Sequence, residues 1–153
     1  MKFGPEGKSG MKFDHIGLVV RSLALGREAL SPIVEIRAWT DEFIDPIQRV
    51  SVQFGRDSSN ICYELIAPQG DGGPVAKALS SGRNILNHVA YLVPDLSEAG
   101  GRLRDAGAVP TADPMPAVAY GGSRIQFFVT PLRFIIELIE SSGHEHRYRT
   151  SNP

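Results

Sequence analysis

The chain has 153 residues, enough for one compact unit or two small modules sharing a core. It is 42% apolar and 22% charged, with a net charge of −1 and scattered basic residues, which excludes a disordered tail and an extended nucleic-acid surface. Its apolar runs are too short to span a bilayer, Met1 to Gly10 lacks the apolar stretch of a secretory signal, and the single cysteine, Cys62, excludes an internal disulfide framework and fits a cytoplasmic setting.

In chain order, residues 1–10 read as a flexible leader. Phe13 to Val20 is short, β-branched and bounded by polar residues, the signature of a strand. Ser22 is placed to cap a helix carrying Leu23 and Leu30, which Ser31-Pro32 ends because a residue before proline avoids the helical region. Val34 to Thr40 reads as a strand, Asp41 to Pro46 as a loop, and the alternating Arg49 to Gly55 as a third strand. Asp57-Ser58-Ser59-Asn60 turns the chain into a fourth, Ile61 to Ile66. The glycine-rich Pro68 to Pro74 is a loop, and Val75 to Leu79 a short helical link.

The same order then recurs. Leu86 to Val93 is a strand, Ser97 the expected cap of a helix ending at Gly107, and Val109 to Thr111 a short strand. Asp113 to Gly122 is a long loop, Arg124 to Thr130 and Phe134 to Ile139 are strands, and residues 141–153 read as a loose polar tail holding His144 and His146. The recurrence has a fixed register. Asp14-His15-Ile16-Gly17 lands on Asn87-His88-Val89-Ala90 at an offset of 88 − 15 = 73 residues. At that offset Val52-Gln53-Phe54 lands on Ile125-Gln126-Phe127, and Glu64-Leu65-Ile66 on Glu137-Leu138-Ile139. One register shared by separated segments indicates two copies of one module, residues 11–80 with the linker and 81–140. The expected fold is therefore α+β, two tandem strand-helix-three-strand (βαβββ) modules forming a curved sheet around a cavity.

Two polar residues repeat within apolar strands, a His in the first strand of each copy and a Glu in the last. His15 and His88 alternate with Ile16, Leu18, Val89 and Tyr91, and Glu64 and Glu137 with Leu65 and Leu138, so all four can face one cavity. An ionised Glu in an apolar strand costs several kcal/mol unless it is paired or metal-bound. Two imidazoles and two carboxylates suit one divalent ion of the Ni, Co, Zn, Fe or Mn group. In the third strands, Val50, Val52, Phe54, Ile125, Phe127 and Val129 are expected to meet the helices. Ser51, Gln53, Arg124, Gln126 and Phe128 are then expected to face the cavity, where Ser51, Gln53 and Gln126 can contact substrate and Arg124 can hold an anionic group. Cys62 is a small buried thiol.

The segments Phe13-Asp14-His15-Ile16-Gly17, Tyr63-Glu64-Leu65-Ile66-Ala67-Pro68, Asn87-His88-Val89-Ala90-Tyr91 and Ile136-Glu137-Leu138-Ile139-Glu140 resemble the vicinal oxygen chelate (glyoxalase, bleomycin resistance and dioxygenase) superfamily. Within it the likeness is nearest to methylmalonyl-CoA epimerase and lactoylglutathione lyase. The resemblance implies metal ligation by His15, Glu64, His88 and Glu137, and, because similar loops in the family border the substrate entrance, makes Met115 and Tyr120 of the 113–122 loop candidate substrate contacts. It also implies a metal-dependent isomerase or lyase that removes a proton next to a carbonyl, with Glu137 or Glu64 as base. The substrate would be an acyl-CoA or a 2-oxo thiol adduct. A homodimer binding a small molecule is expected, with no nucleic acid and no membrane. Some related epimerases use a further carboxylate on the third strand, where Ser51 and Gln53 are the inward candidates here. The same fold also serves non-catalytic antibiotic-binding proteins and extradiol-type dioxygenases, which stand as alternatives.

Overall fold

The computed structural model describes residues 10–82 and 86–149, so the proposed leader up to residue 9 and the tail from residue 150 lie outside the described residues. The elements run β1 (Lys12–Val19), α1 (Leu23–Val34), β2 (Ile36–Trp39), β3 (Phe43–Asp45), β4 (Val50–Asp57), β5 (Cys62–Pro68) and α2 (Pro74–Ser81). They continue with β6 (Leu86–Val93), α3 (Leu96–Asp105), β7 (Val109–Pro110), β8 (Met115–Pro116), a 3₁₀ turn (Val118–Tyr120), β9 (Arg124–Val129) and β10 (Ile135–Glu140). The strands make one curved sheet in the order β2-β4-β5-β1-β6-β10-β9-β7, with β3 paired to β4 and β8 to β9. Each half has the same topology. A first strand lies parallel to the last of its own half, β1 to β5 and β6 to β10, and β1 joins β6 antiparallel at the centre.

Local chemistry sets most boundaries. The Ser22 hydroxyl accepts from Leu25 N at 3.2 Å and starts α1. Leu23, Gly26 and Leu30 form the buried stripe of α1. A Cβ on Gly26 would come within 3.0 Å of Leu65 Cδ1, so glycine lets this helix lie close on β5. Asp57 Oδ1 accepts from Ser59 N and Ile61 N, and Asn60 takes φ 63°, closing the β4–β5 hairpin.

The sequence expectations need four corrections here. The first helix does not stop at Ser31-Pro32. It carries Pro32 in its last turn and ends at Glu35, which is left-handed at φ 53°. So near the end of a helix proline forfeits little, and burial of Leu30 outweighs the pre-proline bias. The expected loop 41–46 contains β3, because Phe43, Ile44 and Asp45 pair with Val52, Ser51 and Val50. The helix of the second copy, α3, is capped by Asp95, whose Oδ1 accepts from Glu98 N at 3.0 Å, not by Ser97. The long loop 113–122 contains β8 and the 3₁₀ turn.

The faces of the third strands are also inverted. Pairing puts Phe54 opposite Glu64 and Phe127 opposite Glu137, and directly paired residues share a face. Val52, Phe54 and Phe127 therefore face the cavity with the glutamates. Phe128 lies in the cluster beneath α3 with Leu96 and Ala99, and Leu65 packs beneath α1 with Leu23 and Leu30. Burying Phe54 and Phe128 completely, each worth about 1.5–3 kcal/mol, anchors one aromatic on each face of the sheet. No helix among the described residues is long and apolar enough to cross a membrane.

Candidate metal centre

β1, β5, β6 and β10 are the four central strands, and each delivers one repeated residue to the concave face. His15 Nε2 and His88 Nε2 lie 3.0 Å apart. Glu64 Oε1 is 3.3 Å from His15 Nε2 and 3.4 Å from His88 Nε2, while Glu137 Oε1 is 3.3 Å and 3.2 Å from the same atoms. All four side chains are buried. Ligands about 2.0–2.1 Å from one central ion stand about 3.0 Å apart at right angles and about 3.4 Å apart at the tetrahedral angle. The observed separations span that interval. Glu137 Oε1 is buried, and among the described residues it meets the two imidazole nitrogens without a well-directed hydrogen bond, a position that a cation between the three atoms would satisfy. Donor chemistry, spacing and the position of this oxygen all fit a divalent ion.

Without an ion, the groups offset one another by charge. Burial opposes a charge on His15, but the Glu64 carboxylate and hydrogen bonding to Asp14, Glu137 and Glu64 hold it well above 6.5. Burial opposes ionisation of Glu64 in turn, and the His15 and His88 rings overcome this, bringing it down to about 2. His88 is also raised against burial, chiefly by Glu137.

A ring of contacts beyond these four was not foreseen. Asp14 Oδ2 accepts from His15 Nδ1 at 2.8 Å, from the Tyr120 hydroxyl at 2.5 Å and from His146 Nε2 at 2.9 Å. Burial disfavours this carboxylate, yet hydrogen bonds from His146 and His15 hold it well below the usual range. Strict alternation would turn Asp14 away from His15, and the β-bulge that brings them together leaves no mark in the sequence. The expectation of a loose tail is likewise corrected for residues 141–149. His146 stacks on Phe54 with ring centroids 4.1 Å apart, Tyr148 bridges Thr40, and Arg149 N donates to Trp39 O at 2.8 Å. The aromatic and histidine content of that stretch was the available signal.

Glu64 and Glu137 open onto a cavity of about 520 Å³ whose walls include Val50, Val52, Ile66, Val75 and Phe127. Met115 and Tyr120 line it as expected, although the Tyr120 hydroxyl is committed to Asp14. Four other candidates lie elsewhere. Gln53 turns toward α1, accepting from Arg27 Nη1 at 2.6 Å and donating to Thr40 O at 2.7 Å. Gln126 donates to Ala112 O at 3.0 Å. Ser51 accepts from Gln69 Nε2. Arg124 is on the surface, paired to Glu140 at 3.1 Å. The inverted face assignment accounts for all four. Arg49, which was not singled out, lines the cavity beside Gly72 and Gly73.

A curved sheet of paired modules carries a buried His-Glu-His-Glu cluster that could hold a metal ion, and comparison with known proteins gives the chain a family. The family model described as the glyoxalase/bleomycin resistance protein/dioxygenase superfamily matches residues 14–127, and the chain belongs to that superfamily. It is 30% identical over 138 residues to the uncharacterized protein YqjC of Bacillus subtilis (strain 168), covering 88% of this chain and 96% of that protein. Among solved structures it resembles a hypothetical protein from Bacillus halodurans C-125, with TM-score 0.74 and 20% identity over 91% of this chain and 100% of that one. It also resembles methylmalonyl-CoA epimerase from Mycobacterium tuberculosis, with TM-score 0.69 and 25% identity over 86% of this chain and 88% of that one. A Streptomyces coelicolor methylmalonyl-CoA epimerase in complex with 2-nitronate-propionyl-CoA matches with TM-score 0.69 and 22% identity, covering 88% and 100% of the two chains.

Proposed function

We propose that the chain is a divalent-metal-dependent isomerase or lyase that removes a proton from the carbon next to a carbonyl group. Its substrate would be an acyl-CoA as in the epimerases or a 2-oxo thiol adduct as in the glyoxalases, with the reacting acyl part in the cavity. The observation that carries this reading is the meeting of four buried ligand-type side chains beside the cavity, with Glu137 Oε1 within 3.3 Å of both imidazoles. His15, Glu64, His88 and Glu137 would hold the ion. A bound divalent ion would act as a Lewis acid on the carbonyl oxygen.

The proton itself needs a base facing the cavity. β4 supplies none, since Val50, Val52 and Phe54 are its inward residues. Asp45 also lines the cavity but is spent on Ile47 N, Gln48 N, Gln48 Nε2 and Val118 N. Glu64 and Glu137 are left, and Glu137, holding the ion through Oε1 alone, would keep its second oxygen to accept and return a proton. The apolar walls exclude water and orient the hydrocarbon part of the substrate.

Protein purified without chelator should carry close to one divalent ion per chain. It should turn over either methylmalonyl-CoA or the methylglyoxal–glutathione adduct, and Glu137→Gln should lose at least about 100-fold in kcat. The apolar lining also suits a binding protein that needs no ion. Tight binding of an aromatic drug by chelated protein, with no turnover of either substrate, would decide for that second reading.

A further inference from the structure

We propose that the strap of residues 144–148 is a positioning element of the metal centre, acting on His15 through Asp14. This rests on the metal reading of the four-residue cluster. The starting point is a β-bulge. Phe13 pairs with Tyr91 and His15 with Ala90, so Asp14 is an extra residue on β1 with no counterpart on β6. The bulge sets the Asp14 carboxylate 2.8 Å from Nδ1 of its neighbour His15. An imidazole that donates from Nδ1 presents a lone pair at Nε2, and Nε2 is the atom aimed at Glu64, Glu137 and His88.

Asp14 is itself held by two further donors from distant parts of the chain, Tyr120 from the 3₁₀ turn and His146 from the strap. The strap is also fastened by ring packing, with Tyr120 against His144 and His146 at centroid distances of 4.7 and 5.7 Å. Phe54 is fully buried, lies edge-on to His15 with centroids 5.4 Å apart, and carries the stacked His146 ring. Arg56 sits over the Tyr148 ring at 4.6 Å, and Tyr148 bridges Thr40. The other imidazole has no such support, for His88 Nδ1 is buried without a hydrogen-bond partner. Asp14, His15 and His146 are placed as a hydrogen-bonded group, the facing nitrogens of both rings meeting the one carboxylate oxygen. The centre thus has one braced ligand and one unbraced ligand, and the brace comes from a segment outside the repeated modules.

Metal-free wild type, His146→Ala, His146→Gln and Tyr120→Phe are titrated with Co²⁺ by calorimetry and absorption. His146→Ala should weaken Co²⁺ binding about 10–100-fold and alter the visible cobalt bands. His146→Gln, whose amide can still donate to Asp14, should recover most of the loss. In metal-free protein, the downfield Nδ1–H signal of His15 should persist in wild type and be lost to exchange in His146→Ala. Equal affinity, equal spectra and an unchanged His15 signal would overturn the proposal. If His146→Ala fails to fold, Tyr120→Phe removes a different donor from Asp14 and is judged by the same readouts. If wild type binds no Co²⁺, the metal reading falls, while the His15 signal still decides whether the strap positions that ring.

Discussion

Replacing Gly17 by alanine is expected to remove His88 from the metal centre while leaving the fold intact. Gly17 lies opposite His88 across the β1–β6 pair, beneath the His88 ring. A Cβ at Gly17 would stand 2.2 Å from Cε1 and 2.5 Å from each ring nitrogen of His88, where ordinary contact begins at 3.4 Å. The ring must therefore retreat by at least about 1.2 Å (3.4 − 2.2), whereas metal–ligand distances tolerate only about 0.2 Å. Losing a ligand exceeds the ~10–100-fold cost of losing a supporting hydrogen bond, so the dissociation constant should rise at least ~100-fold. At a metal concentration of 100 times the wild-type constant, wild type gains about 2.7 kcal/mol of stability and the variant about 0.4 kcal/mol. For a chain of this size that is a difference of about 5–9 °C in metal-dependent Tm. Alanine occupies the matching position in the second copy, Ala90, so the strand itself should accept it. Calorimetric titration with Ni²⁺ and melting curves with metal or chelator measure both quantities. A variant that binds Ni²⁺ within threefold of wild type would refute the reasoning.

Two further outcomes follow from the ionised groups. In chelated protein the raised His15 contributes stability below its ordinary 6.5 and loses it as pH rises through its folded value. The lowered Glu64 contributes above 4.5 and loses that as pH falls toward about 2. Chelated protein should therefore melt highest between about pH 4.5 and 6.5, and stabilisation by Ni²⁺ should grow from pH 6 to pH 8 as His15 gives up its proton, a trend that a Tm series across pH would contradict if flat. Burial first of all pushes the Cys62 thiol up to about 12. At pH 8 only about 1 in 10⁴ of these thiols is thiolate, so iodoacetamide should label native protein far more slowly than urea-unfolded protein, with equal rates by mass spectrometry as the contrary result.

Much of this architecture was legible because duplication makes sequence redundant. The offset of 73 aligned His15 with His88 and Glu64 with Glu137, and the four residues meet at one point. Alternation gave the parity of each strand, but parity has no sign until the strand is paired. The inward face of β1 and β6 could be read because His15 and His88 marked it. On β4 and β9 no such marker exists, and apolar Phe54 and Phe127 were assigned to the helices when the cavity wall is itself apolar. Strand register supplies the sign, and register is a property of two segments together. Asp14 and the strap escaped for a related reason. A bulge breaks alternation at one residue, and His146 finds Asp14 across 132 residues, a separation outside the repeat.

Perfect duplication would have built a centre with a dyad through it, unable to tell one end of a bound molecule from the other. The two copies have since diverged at the positions nearest the imidazoles. Asp14 in one answers to Asn87 in the other, and Gly17 to Ala90. Asp14 braces its histidine, while Asn87 lines the cavity. The halves are no longer interchangeable, so a molecule entering the cavity meets two chemically distinct sides. The asymmetry of this site comes from a few residues at which the two matching strands differ.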